Sequence, residues 1–252
     1  MADLAVGRAL ITGGGSGVGA VMARMLADSG VKVAVSGRRG NVLADVAQHE
    51  NITAIVADVT DETSVRDMYA TMVGQIGAPD LVIANAGMAE SAPIGKTSTD
   101  LWRQTMDVNL TGTFLTFREG LSVMDKNKAG RLISIASTAG LKGYAYVSAY
   151  CAAKHGVVGL VKSMADELAS SAITVNAVCP GFMETPMLEK SVENIVAKTG
   201  MSSTEARASL AKINPQNRFI TPEEVANTVM WLCSPQAASM TGQTISVSGG
   251  EI

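Results

Sequence analysis

Tyr150 and Lys154 stand four residues apart in Ser148-Ala-Tyr-Cys-Ala-Ala-Lys154. On a helix that spacing puts a phenol and an ammonium on one face. A free tyrosine carries protons poorly near neutral pH, because its pKa is about 10. Bringing it to neutrality takes roughly three pH units, or about 4 kcal/mol. A unit charge about 4 Å away supplies that much at an effective dielectric constant of about 20. The pair is therefore expected to act as an acid/base, with the lysine lowering the tyrosine's pKa. Ser137 lies thirteen residues upstream of Tyr150. The turn Thr12-Gly-Gly-Gly-Ser-Gly-Val-Gly19, which contains Ser16 and Val18, adds a second chemistry. Gly13, Gly17 and Gly19 form G-x-x-x-G-x-G between an N-terminal strand and a helix. Such glycines allow a tight turn and a close approach of backbone to pyrophosphate, and the helix N-terminus stabilises the anion. An ordinary glycine-rich turn is the alternative. Proton transfer beside a dinucleotide points to hydride transfer.

The end of the second strand bears on which dinucleotide. NAD sites usually place Asp or Glu about 20 residues beyond the glycine turn, on the adenosine ribose. Here the chain reads Val35-Ser36-Gly37-Arg38-Arg39, with two arginines and no acid. Guanidinium groups bind a 2′-phosphate that a carboxylate would repel. Arg38 and Arg39 therefore favour NADP. If both are merely solvated, NAD remains the alternative.

The elements that must position these groups follow an alternating pattern. Short β-branched runs at 8–12, 32–36, 53–57, 81–84, 131–135, 174–178 and 244–247 are nearly continuous apolar stretches, as strands covered on both faces require. Amphipathic segments at 17–29, 41–48, 63–76, 100–124, 148–169 and 222–233 read as helices between them. Gly30, Gly77 and Gly130 are expected to end helices. The expected fold is α/β, a Rossmann-like doubly wound parallel sheet of about seven strands with helices on both faces. Residues 1–252 read as one domain. Phe182 to Phe219 is too long for a simple connection. It is expected to form one or two short helices, a mobile cover over the site, carrying Phe182, Met183, Met187, Leu188, Ile195, Leu210 and Ile213. A purely structural insertion is the alternative.

The net charge of −3, without a basic stripe, argues against a nucleic-acid partner. No stretch approaches the roughly 20 apolar residues of a membrane helix, and no signal peptide is read at the N-terminus. The cysteines Cys151, Cys179 and Cys233 suit a reducing cytosol. Cys151 beside Tyr150 is read as a small helix residue rather than a reactive thiol. His49 and His155 form no ligand spacing with any cysteine, so no metal site is expected.

Taken together and in order, these motifs resemble the single-domain branch of the short-chain dehydrogenase/reductase family along essentially the whole chain. Thr12 to Gly19 matches that family's cofactor turn, and Asp58-Val59 its acidic pair holding the adenine. Asn85-Ala86-Gly87 matches its N-A-G, although Ala84 stands where the family often has another asparagine. Asn109, Ser137 and Tyr150/Lys154 match its catalytic set. Pro180-Gly181, Met183 and Thr185 fall in the P-G-x-x-x-T stretch that cups the nicotinamide. The resemblance implies that Tyr150 exchanges a proton with the substrate oxygen, Lys154 bonds the nicotinamide ribose, Ser137 polarises the carbonyl, and Asn109 holds a relay water.

The activity so implied is NADP-dependent interconversion of a ketone and a secondary alcohol. From Pro222 to Gly250 the chain is similar to 3-oxoacyl-thioester reductases and 3-hydroxyacyl dehydrogenases, which suggests a thioester or another hydrophobic ketone as substrate. Two other readings stand beside it: an NAD-dependent dehydrogenase of a sugar or hydroxy acid, and a non-catalytic dinucleotide-sensing protein. The long segments 100–124 and 148–169 correspond to those through which family members pair, so a cytoplasmic homotetramer is expected.

Overall fold

The computed structural model describes residues 4–252. Seven strands form one sheet in the order β3-β2-β1-β4-β5-β6-β7. They are β1 (Arg8–Thr12), β2 (Lys32–Gly37), β3 (Ile52–Val56), β4 (Leu81–Ala84), β5 (Gly130–Ile135), β6 (Ile173–Pro180) and β7 (Thr244–Val247). Every adjacent pair is parallel. The helices are α1 (Gly17–Asp28), α2 (Gly40–Val46), α3 (Glu62–Ile76), α4 (Thr99–Met106), α5 (Gly112–Val123), α6 (Ser148–Glu167), α7 (Pro186–Thr199), α8 (Ser203–Ala211) and α9 (Pro222–Leu232). None among the described residues is long and apolar enough to cross a membrane.

The strand runs read as doubly covered because alternate residues serve two layers. Ile11, Val33, Val35, Leu81 and Ile83 pack with Met22 and Leu26 of α1 and Val225 and Val229 of α9. Their neighbours Leu10, Ala34, Val82 and Leu132 pack on the other face with Met68, Met72, Phe117, Val157 and Val161. Because β1 pairs with both β2 and β4, the order of strands reverses there. That leaves a crevice at the strands' carboxyl ends, where such sheets bind ligands.

Local signals hold where they are strong. Thr221 and Glu224 form a complete capping box ahead of α9, with proline in its first turn. Gly30, Gly77 and Gly200 follow helices with φ of 87°, 94° and 74°, a region that disfavours side chains. Gly130 departs from expectation, since it opens β5 rather than ending a helix. A Cβ there would stand 2.8 Å from Met124 Cε and 2.9 Å from Ile173 Cγ1, so close packing requires the glycine. The segment read as one helix over 100–124 is α4 and α5 joined by a π-helical turn, Asp107–Thr111.

Arg131 in β5 is a buried cation, 2% exposed. Its Nε donates to Leu232 O at 2.9 Å, Nη1 to Gly130 O at 2.9 Å and Nη2 to Ser234 O at 3.4 Å. Two of those carbonyls lie at the end of α9, the negative pole of its dipole. Arg131→Met is expected to cost about 3 kcal/mol, because it strands buried carbonyls. Urea unfolding measures this, and a loss below about 1 kcal/mol would deny the capping role.

Candidate active site

The glycine turn lies where β1 meets α1, and its geometry leaves no room for side chains. Gly13 and Gly17 have φ of 64° and 53°. A Cβ on Gly13 would stand 2.9 Å from Ala86 Cα, and one on Gly19 would stand 2.4 Å from Gly13 O. Ser16 caps α1 with its backbone alone, its side chain making no capping bond. The first N–H groups of α1 therefore face the crevice, as an anion site needs. Asn85 braces this turn. Its Nδ2 donates to Thr12 O at 2.9 Å and Gly13 O at 3.0 Å, while the backbone N–H groups of Asn85 and Ala86 donate to Thr12 Oγ1.

Arg38 and Arg39 stand at the rim beyond β2, beside Asp58. Burial works against the Asp58 charge. Hydrogen bonds from the Thr60 N–H (3.0 Å) and hydroxyl (2.8 Å), with Arg38 at 4.0 Å, still hold its carboxyl below the usual range. Arg103 of α4 joins Arg38 in lining a smaller adjoining pocket of about 240 Å³. Nothing in the sequence pattern marked it.

Tyr150 and Lys154 do share one face of α6, and both line a cleft of about 860 Å³. Their relation differs from expectation. Lys154 Nζ donates to Ile135 O at 2.9 Å and lies 5.6 Å from the centre of the Tyr150 ring. Burial pushes the Tyr150 phenol up to about 12, although a hydrogen bond with Ser137 works the other way. Burial pushes the Lys154 ammonium down to about 8. In this arrangement burial governs the phenol and raises it, while the lysine ammonium is directed to the Ile135 carbonyl. A phenol held protonated suits proton donation to an alkoxide, the need in ketone reduction. Tyr144, a second tyrosine nearby, is raised further by burial and by its bond to Glu251.

Asn109 sits in the π-helical turn, fully buried. Its Nδ2 donates to Met88 O and Thr105 O, both at 2.9 Å, and its Oδ1 accepts from Met88 N at 3.2 Å. Both amide hydrogens are thus committed to backbone and pin the Met88 turn, while Oδ1 keeps one acceptor position beyond its bond from Met88 N. Ser137 Oγ accepts from Ala139 N at 3.0 Å and reaches Tyr150.

The sixteen residues Gly13, Ser16, Gly17, Val18, Arg38, Arg39, Asp58, Val59, Asn85, Ala86, Gly87, Asn109, Tyr150, Lys154, Met183 and Thr185 line the large cleft. Gly19, Ser137, Pro180 and Gly181 adjoin that lining: Gly19 is buried under the turn, half-buried Ser137 is hydrogen-bonded to Tyr150, and Pro180-Gly181 stand at the end of β6. Thr185 meets the turn from above, since a Cβ on Gly17 would stand 3.6 Å from Thr185 Cγ2.

The segment expected to cover the site is two helices, α7 and α8, separated by Gly200. Its apolar residues divide between two surroundings. Leu188, Val192, Ile195, Leu210, Phe182 and Phe219 pack on one another. The face of α7 turned to the cleft carries Met187, Lys190, Ser191, Asn194 and Lys198, at i, i+3, i+4, i+7 and i+11. Asn194 donates to the Ser91 hydroxyl, and Lys198 Nζ donates to Ser91 O at 2.9 Å. That polar face escaped the sequence reading, though its helical spacing was there to find.

Comparisons agree with this geometry. The sequence matches the short chain dehydrogenase family over residues 7–196. It is 35% identical over 250 residues to the D-beta-hydroxybutyrate dehydrogenase of Rhizobium meliloti, covering 96% of this chain and 97% of that one. It is 36% identical over 251 residues to the 3-oxoacyl-[acyl-carrier-protein] reductase of Synechocystis, covering 97% and 96%. The crystal structure of a variant actinorhodin polyketide ketoreductase with NADPH superposes with a TM-score of 0.94 at 34% identity, covering 100% of this chain and 99% of that one.

Proposed function

Since the chain belongs to the short-chain dehydrogenase family, we propose that it is an NADPH-dependent reductase of 3-oxoacyl thioesters or related polyketide-type ketones. The observation that carries this reading is the placement of Tyr150 beside Lys154 and Ser137, at one cleft with a glycine turn and Arg38. The residues fit the cofactor. Gly13, Gly19 and the start of α1 would take its pyrophosphate, Asp58 and Val59 its adenine, and Arg38 and Arg39 its 2′-phosphate. Lys154, Pro180, Gly181, Met183 and Thr185 would take the nicotinamide riboside. Bound there, NADPH supplies hydride.

The protein's own part is orientation and proton delivery. Ser137 and Tyr150 hold the ketone oxygen between two hydroxyls, which polarises the carbonyl. Tyr150 then donates its proton to that oxygen. Lys154 holds ribose hydroxyls and returns a proton toward the phenolate. Asn109 keeps the Met88 turn in place beside Lys154, and its Oδ1 would hold the relay water on its remaining acceptor position. The segment 182–219 covers the substrate.

NADPH consumption across 3-oxoacyl thioesters, diketones, cyclic ketones and keto sugars, with Tyr150→Phe as the blank, tests the reading. Equal turnover of wild-type protein and blank, or none on any ketone, rejects it. The Rhizobium relative supports a second reading, a hydroxy acid dehydrogenase, with NAD as coenzyme if Arg38 and Arg39 are merely solvated; faster turnover with NAD and 3-hydroxybutyrate than with NADPH and any ketone would favour it.

Lys154 sets a pH dependence. Its ammonium form binds ribose hydroxyls as a donor, and burial brings its pKa to about 8. Protons leave it as pH rises, so kcat/KM for NADPH, which reports the free enzyme, is expected to fall about tenfold per unit above pH 8. A profile flat to pH 10 would contradict this.

Assembly as a cytoplasmic homotetramer belongs to the same reading. Trp102 of α4 and Phe114 of α5 are 38% and 41% exposed, and the three cysteines are free thiols. Light scattering showing a monomer at micromolar concentration would remove the tetramer.

A further inference from the structure

Glu251 lies just past β7, yet its side chain is only 2% exposed, with Lys142 Nζ 3.0 Å from its Oε1. Tyr144 Oη donates to the same oxygen. A phenol has one proton and a carboxylate only accepts, so the Thr138 hydroxyl, 2.7 Å from Tyr144 Oη, must donate into the phenol oxygen. A directed chain therefore runs from Thr138 through Tyr144 to Glu251. The second carboxylate oxygen, Oε2, is buried without a hydrogen-bond donor among the described residues. It lies 3.1 Å from the place a Cβ on Gly181 would take.

A buried carboxylate satisfied on one oxygen alone is expensive to keep, and the apolar layers of the sheet do not include it. Its location supplies a reason. Thr138 is the next residue after Ser137. Gly181 follows β6, and the next residue, Phe182, meets the Tyr144 ring edge-on at 6.2 Å. One side chain thus ties together the segments leaving β5, β6 and β7 at their carboxyl ends.

We propose that Glu251 is a positioning residue for Ser137, acting through Tyr144 and Thr138 to fix the loop after β5 at the geometry in which Ser137 meets the ketone oxygen. The proposal rests on the ketone-reductase reading above. Ser137 opens a single helical turn, Thr138–Gly140, and its Oγ accepts from Ala139 N within it. Any shift of Thr138 therefore moves Ser137 directly. Lys142, 40% exposed, offsets the buried charge from the solvent side.

The test is a coupling experiment. Glu251→Ala and Tyr144→Phe are each made alone and with Ser137→Ala, and assayed with NADPH and the 3-oxoacyl thioester that wild-type protein reduces best. NADPH binding is followed in parallel by fluorescence. Each variant is expected to lower kcat about tenfold or more where Ser137 is present, since small misplacements of a reacting group cost that much. Each should change kcat less than about twofold where Ser137 is already gone, as residues acting through one another are non-additive. The dissociation constant for NADPH should hold within about twofold, because the groups proposed for its charged phosphates, the glycine turn with Arg38 and Arg39, lie away from the removed bond.

Equal losses in both backgrounds would mean a general structural role and overturn the proposal. So would unchanged kcat. Tyr144→Phe keeps the ring against Phe182 and so guards against a folding defect in Glu251→Ala; loss of NADPH binding in both would also overturn it. If wild-type protein reduces no ketone, the reductase reading fails and takes the proposal with it. Turnover by wild-type protein with indifferent variants sinks the proposal alone.

Discussion

Tyr150→Phe is expected to lower kcat for ketone reduction about 10³-fold, the middle of the range for losing a general acid. The change removes one oxygen and keeps the ring that lines the cleft. NADPH binding should therefore persist, and Lys154 should keep its bond to Ile135 O. The loss should fall on kcat rather than on KM for NADPH, since the phenol acts where charge develops on the substrate oxygen. Stopped-flow measurement of a single turnover separates this step from product release. The phenol, pushed up to about 12 by burial, also fixes the direction of the expected pH response. Reduction should not require Tyr150 to ionise first, whereas oxidation of the alcohol should quicken as pH rises. A phenylalanine variant retaining a tenth or more of wild-type kcat would remove Tyr150 from the chemistry.

The second large effect concerns the coenzyme. Arg38→Ala combined with Arg39→Ala is expected to lower kcat/KM for NADPH about 100-fold and to leave NADH within about threefold. A charge-assisted hydrogen bond contributes roughly 1.5–3 kcal/mol when shielded from water. Arg38 is 70% exposed, so Arg38→Ala alone is discounted to about tenfold. Asp58 adds to the effect. Without Arg38 at 4.0 Å, its carboxylate faces the incoming 2′-phosphate unbalanced. Equal losses with NADPH and NADH would mean that the arginines only shape the turn after β2.

The chemistry lies on elements whose local character is plain in the chain. Strands β1 and β4 are legible as unbroken apolar runs because both sides of each are buried. The glycine turn is legible because only residues without Cβ fit within 2.9 Å of Ala86 Cα and 2.4 Å of Gly13 O. The Tyr150/Lys154 pair is legible because helical spacing alone puts both on one face. Elsewhere local pattern ran out. The π-helical turn between α4 and α5 has no signature in propensity, since its side chains are those of an ordinary helix. Arg131 looks like a strand-edge cation until its carbonyl partners, about a hundred residues away, come into contact.

Residue order and type were enough to establish a wound parallel sheet, a nucleotide-binding turn and a phenol–ammonium pair, because each depends on neighbours a few positions apart. Their ionisation and use were not so encoded. Burial moved the Tyr150 phenol up, against the expected pull of Lys154, and backbone partners claimed both amide hydrogens of Asn109. The cleft-facing side of α7 proved polar because its apolar side had α8 to pack against. Glu251 met Tyr144 across 107 residues. Desolvation and contact depend on what distant segments bring alongside, which appears only once the sheet has gathered them at its carboxyl edge.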